Sequence, residues 1–167
     1  MQNYFELFDL PQQFSIDLTQ LDQAFRKVQS QVHPDKFVQS GDAEKRVAMQ
    51  WATRANEAYQ TLKKPLKRAR YLCELEGVDL QTESNTSMPA AFLMQQMEWR
   101  ENFDDAKKSS DTNAMALLEH EVTLALKSQI ENLSTLFAQK DFLAAAQEIR
   151  ACLFLEKFIE DIAAAED

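Results

Sequence analysis

Apolar positions recur along most of this chain at the three- and four-residue spacing of helices packed on other helices, and no stretch alternates as a half-buried strand would. A short apolar opening, Tyr4-Phe5-Glu6-Leu7-Phe8, stops before Pro11 and fits one or two helical turns. The clearest period comes next. Leu18, Leu21, Phe25, Val28 and Val32 form a narrow seam, with Asp17 and Gln20 as a capping pair, and the helix should run to about His33. Pro34 stops it, because proline has no backbone donor and disfavours helical geometry in the residue before it. After a loop through Ser40-Gly41-Asp42, a second long pattern uses Val47, Trp51, Ala55, Ala58, Tyr59 and Leu62 and breaks at Lys63-Lys64-Pro65, giving an antiparallel hairpin. Pro65 then opens a shorter helix with Leu66, Ala69, Leu72 and Cys73 on its apolar side, and Gly77 suits the position beyond its C-terminus.

From Asp79 to Ser87 the chain is nearly all polar and aperiodic, so residues 79–88 read as a linker between a first domain, 1–78, and a second, 89–167. Three helical stretches follow, about Pro89 to Lys108, Thr112 to Gln139 and Phe142 to Ala164, separated by Ser109-Ser110-Asp111 and Lys140-Asp141. Connections this short make antiparallel neighbours and hence a three-helix bundle. The expected fold is all-α throughout.

Composition narrows the function more than the fold. Of the 167 residues, 45% are apolar, enough for a real core, while two Gly and four Pro are sparse punctuation that suits helices. A net charge of -9 argues against non-specific nucleic-acid binding and against anionic membranes. No apolar run is long enough to span a bilayer and the start resembles no targeting segment, so a cytoplasmic location is expected. Cys73 and Cys152 lie in apolar helical patterns and are expected as buried, reduced thiols. They and the two histidines, His33 and His120, are too dispersed to ligate iron or zinc, so no metal or other cofactor is expected. With no glycine-rich phosphate loop and no triad-like set, the chain is not expected to be an enzyme.

The chemistry that stands out is His33-Pro34-Asp35, followed at once by Lys36, in a bent polar loop between two helices. By itself it is either a helix stop or a recognition element. The surrounding residues add to it. A helix ending in His33-Pro34-Asp35-Lys36-Phe37, a partner ending in Asn56-Glu57-Ala58-Tyr59-Gln60-Thr61-Leu62, and then Pro65-Leu66-Lys67-Arg68-Ala69-Arg70-Tyr71-Leu72 together resemble a J-domain. With Ala91-Phe92-Leu93-Met94-Gln95-Gln96-Met97-Glu98 and Leu153-Phe154-Leu155-Glu156-Lys157, the whole chain resembles the HscB family, J-domain co-chaperones of iron–sulfur cluster biogenesis.

That resemblance implies two partners: a DnaK-type chaperone, HscA, whose ATP hydrolysis is accelerated, and the cluster scaffold IscU, delivered by the C-terminal bundle. It implies an ATPase contact at His33, Pro34 and Asp35, supported by Arg26, Lys27 and Lys36. The roles are physically sensible, since Asp35 can accept paired hydrogen bonds from an arginine, His33 can donate one and Pro34 fixes their direction. Val32 stands where many J-domains carry an aromatic residue, and Gln29, Ser30 and Gln31 leave the basic side thin, which suits a specialised pairing.

A second site follows from helical geometry. At roughly 100° per residue, Phe92, Trp99, Phe103 and Ala106 share one stripe, the core face of the first bundle helix. Leu93, Met94 and Met97 lie roughly 100–200° away, beside Glu98, Glu101, Asp104 and Asp105. On the last helix Ile149 and Leu153 share a direction from which Phe154 and Phe158 point away, so Phe154 is free to join that patch. An apolar patch rimmed by acids is a surface that binds a partner, and methionine packs adaptably there. The resemblance likewise implies scaffold contacts at Leu93, Met94, Met97, Glu98, Glu101, Asp105 and Phe154, whereas the residue pattern alone also fits a wider core. The expected protein is a monomeric adaptor between client and chaperone. The alternatives are a structural helical interaction protein and a general J-domain protein with an unrelated client.

Overall fold

The computed structural model describes residues 2–80 and 88–167, so most of the expected 79–88 linker lies outside the described residues. The elements are α1 (Tyr4–Leu7), α2 (Leu18–Val32), a 3-10 turn (Pro34–Phe37), α3 (Asp42–Lys63), α4 (Pro65–Leu75), α5 (Ala90–Lys108), α6 (Thr112–Ala138) and α7 (Phe142–Glu166). The described residues contain no strand, and the fold is all-α as expected. The chain divides into two compact units, Met1–Leu72 and Cys73–Asp167.

In the first unit, Asp17 caps α2 by accepting from the N–H groups of Thr19 and Gln20 at 2.8 and 3.3 Å, satisfying donors that a helix start leaves open. Leu21 is fully buried against α3, while Phe25, Val28 and Val32 are half-buried. The Phe25 ring stacks on Tyr59 with centroids 4.2 Å apart. The Tyr59 hydroxyl donates to Asp22 Oδ1 at 2.7 Å, and that bond raises its pKa. From α3 the core takes Ala48, Ala55, Ala58 and Leu62, whereas Val47 and Trp51, expected in the packed stripe, are exposed. Ala55, Ala58 and Leu62 hold the expected stripe, while at its N-terminal end Ala48 packs in place of Val47, a small residue that lets the two backbones approach.

α4 closes this unit through Arg68. Its buried guanidinium donates Nε–H to the Phe14 carbonyl at 2.6 Å and Nη1–H to the Leu62 carbonyl at 2.7 Å. Those bonds fasten the chain ahead of α2 and the end of α3 to α4, and desolvation lowers the arginine's pKa. Gly77 takes the left-handed conformation past α4, with φ of +79°, as a helix C-terminus asks of glycine.

In the second unit, Trp99, Phe103 and Ala106 of α5, Met115, Leu118 and Val122 of α6, and Leu155, Phe158 and Ile162 of α7 make one core. Phe92 packs half-buried against it, so the expected α5 stripe holds. On α7, Ile149 is buried but Leu153 is 37% exposed, and Phe158 rather than Leu153 enters the core, meeting Phe103 edge-on at 5.7 Å. The two interhelical connections repeat one device. Ser110 and Lys140 each adopt a left-handed φ, 53° and 57°. Asp111 and Asp141 then cap α6 and α7, accepting from Ala114 N–H at 3.0 Å and Ala144 N–H at 3.2 Å. Cys73 and Cys152 are free and buried, as expected.

Candidate functional sites

His33 ends α2 in an extended conformation, φ −61° and ψ 136°, the geometry that the following proline imposes. The Pro34–Phe37 turn then begins with proline in its first position, where the missing N–H costs nothing. Asp35 N–H donates to His33 Nδ1 at 3.2 Å, and Lys36 N–H donates to the His33 carbonyl at 3.0 Å. Because Nδ1 accepts, the proton of the neutral ring sits on Nε2, which is left as a donor for a partner. Asp35 Oδ2 lies 3.5 Å from the same Nδ1, and both side chains are exposed.

The turn borders a shallow cleft of about 380 Å³ between α2 and α3, lined by Arg26, Gln29, Ser30, Val32, His33 and Pro34 from one side and by Ala52 and Asn56 from the other. Arg26 and His33 are two helical turns apart on one face, so the arginine flanks the tripeptide. Lys27 and Lys36 are exposed but do not line the cleft. Ala52 and Asn56 were not expected to line the cleft, since neither carries the charge or bulk that marks a contact in a sequence.

The second site is a groove of about 750 Å³ between α5 and α7. Leu93, Gln96, Met97, Arg100, Glu101, Asp104, Asp105 and Lys108 line it from α5 and Phe154 from α7. Five of the seven anticipated residues, Leu93, Met97, Glu101, Asp105 and Phe154, therefore meet in one concavity. Leu93, Met97 and Phe154 are 45%, 71% and 52% exposed, so they form a surface and not an extension of the core. Met94 and Glu98 lie outside the groove, exposed on the next face of α5.

Arg100 was not anticipated. Its guanidinium sits 4.5 Å from the centre of the Phe158 ring, and its Nη1 is 3.7 Å from Asp161 Oδ2, bridging α5 to α7 along the groove. Lys157 Nζ holds the other Asp161 oxygen at 3.2 Å. The signal was present in the helical spacing, since Gln96, Arg100 and Lys108 share a face with Leu93 and Met97. Glu101, Asp104 and Asp105 outnumber Arg100 and Lys108, so the groove is apolar at one end and carries a small acidic excess beyond it.

Cys152 and Cys73 offer no reactive thiol, as burial pushes their pKa values up to about 12 and about 11. Among the described residues no group of three or more His, Cys, Asp or Glu side chains is placed to hold a metal ion. Nor, among them, is any helix long and apolar enough to cross a membrane.

Comparison with known proteins places the chain in a family. Residues 88–163 match the family model of the HSCB C-terminal oligomerisation domain. The chain is 51% identical over 162 residues to the co-chaperone protein HscB homolog of Burkholderia cenocepacia, covering 97% of this chain and 93% of that one. Its fold is similar to that of chaperone HscB from Vibrio cholerae, with a TM-score of 0.82, 37% identity, and 99% of this chain and 98% of the other covered. The human co-chaperone protein HscB is similar too, with a TM-score of 0.84 and 31% identity over 96% of this chain and 81% of its own. Both structures pair an N-terminal J-domain with a C-terminal helical bundle. With half its residues shared along almost the full length of such a relative, and with the tripeptide-bearing hairpin and the bundle both present, this chain belongs to the HscB family of J-type co-chaperones.

Proposed function

We propose that this chain stimulates ATP hydrolysis by the DnaK-type chaperone HscA through His33, Pro34 and Asp35, and delivers the iron–sulfur scaffold IscU to it through the α5–α7 groove. The observation that carries this reading is the presence of two exposed sites of unlike chemistry, each built within its own unit. At the first, Asp35 offers an unburied carboxylate to a partner arginine, His33 Nε2 offers a donor, and Arg26 with Lys27 and Lys36 offers positive charge to an acidic partner surface. At the second, Leu93, Met97 and Phe154 supply apolar area, while Glu98, Glu101 and Asp105 favour a basic client; Met94 widens the contact on the adjoining face.

No bond is made or broken on this chain. Its contribution is to hold client and chaperone on one molecule, which raises the client's effective concentration where hydrolysis captures it. We take the chain to act as a monomer, because a net charge of -9 and an acidic groove oppose association of two copies. The test is steady-state ATPase of HscA with this chain, with and without IscU. Stimulation that rises further with IscU and is lost in His33→Gln is expected; equal stimulation by the His33→Gln chain would overturn the assignment.

A further inference from the structure

The exposed side of α5 continues beyond the α5–α7 groove and onto α6. At about 100° per residue, Met94, Glu98 and Asp105 fall within about 40° of one another, along a ridge next to the groove face. Asp105 belongs to two concavities. On one side it lines the groove, and on the other it lines a cleft of about 370 Å³ between α5 and α6 whose walls include Asn102, Leu117 and Glu121. Leu117 is 72% exposed there, a large apolar side chain flanked by acids, the same pairing of apolar anchor and acidic rim that the groove presents.

We infer that the client seated in the α5–α7 groove straddles α5 and makes a second anchoring contact on Leu117 and Glu121 of α6. The inference rests on the reading of the groove as the client site. Three observations select the same occupant for both concavities: they are continuous through Asp105, they carry the same charge sign, and the ridge between them is itself apolar and acidic. A helix with its side chains is about 10–12 Å across. A folded protein covering about 800 Å² of its partner spans that width, whereas a short peptide lying in the groove does not. The client surface matching this footprint has two apolar points flanked by basic side chains, on either side of a shallow saddle.

Calorimetric titration of the full chain with metal-free IscU tests the footprint. Leu117→Glu should weaken binding about tenfold, and Glu121→Lys should weaken it several-fold and make it less salt-sensitive. Thr123→Glu, at an exposed α6 position roughly 120° round the helix from Leu117 and outside the cleft, should bind like the parent. All three sites are at the surface, and thermal melts verify that the variants fold; should Leu117→Glu melt early, Glu121→Lys carries the test. Parental affinity in both Leu117→Glu and Glu121→Lys, alongside weak binding by Leu93→Ala/Phe154→Ala, would overturn the straddling contact and leave the groove standing. Equal weakening by Thr123→Glu would overturn it as well. If Leu93→Ala/Phe154→Ala also binds normally, the groove reading itself is wrong.

Discussion

At the scale of single residues, position within the cleft separates side chains that look alike in the sequence. Arg26 and Lys27 are consecutive cations on α2, yet only Arg26 lines the cleft beside His33. Arg26→Ala should therefore lower ATPase stimulation several-fold and Lys27→Ala much less. Equal losses would mean that the whole basic side of α2 is the contact, with the cleft incidental. The cysteines act through solvation. Burial raises the Cys152 thiol to about 12 and the Cys73 thiol to about 11, above the ordinary value near 9. The folded state thus holds these protons more tightly than the unfolded chain. The resulting stability is fully present below pH 9 and is lost as pH rises toward 11 and 12. The melting temperature should stay level between about pH 7 and 8.5 and fall above pH 9, and the fall should be shallower in Cys152→Ala. A parental slope in that variant would assign the alkaline loss to other groups.

At the scale of elements, the bundle was legible in the sequence because its signals are local. Two Asp caps and two short polar breaks put α5, α6 and α7 within two residues of their expected bounds. What the sequence hid was how the breaks are made. Ser110 and Lys140 take left-handed backbone that glycine would adopt without a Cβ penalty. Lys140→Gly should accordingly stabilise the chain by about 0.5–1 kcal/mol, seen as a higher urea midpoint at unchanged slope; a lower midpoint would mean that Lys140 gains more from its surroundings than its backbone costs. The hairpin was less legible. Leu18 was placed in the α2 seam but is half exposed, and of the expected α3 stripe Ala55, Ala58 and Leu62 are buried while Val47 and Trp51 are exposed. At the start of α3 periodicity alone cannot choose between Val47 and its neighbour Ala48 when the packed residue is the smaller one. The groove shows the same limit: Leu93, Met97 and Phe154 could be grouped from helical angles, whereas the Arg100 bridge to Asp161 depends on which α7 turn faces α5, a tertiary fact.

At the scale of the molecule, the two sites belong to separate compact units, so each should be removable without disturbing the other. His33→Gln should bind IscU with parental affinity and fail to stimulate HscA, while Leu93→Ala/Phe154→Ala should stimulate HscA alone but lose the further rise with IscU. These variants then ask whether both sites must share one chain. A client held on the same molecule as the chaperone contact experiences an effective concentration on the order of millimolar, roughly a hundredfold above a protein free at ~10 μM. An equimolar mixture of the two variants contains every functional side chain, but no molecule that carries both sites. Such a mixture should therefore give the ATPase rate of Leu93→Ala/Phe154→Ala by itself, with no IscU-dependent rise. Recovery of the full rise would show that occupying the two partners separately is enough, and would replace tethering with independent action at each site.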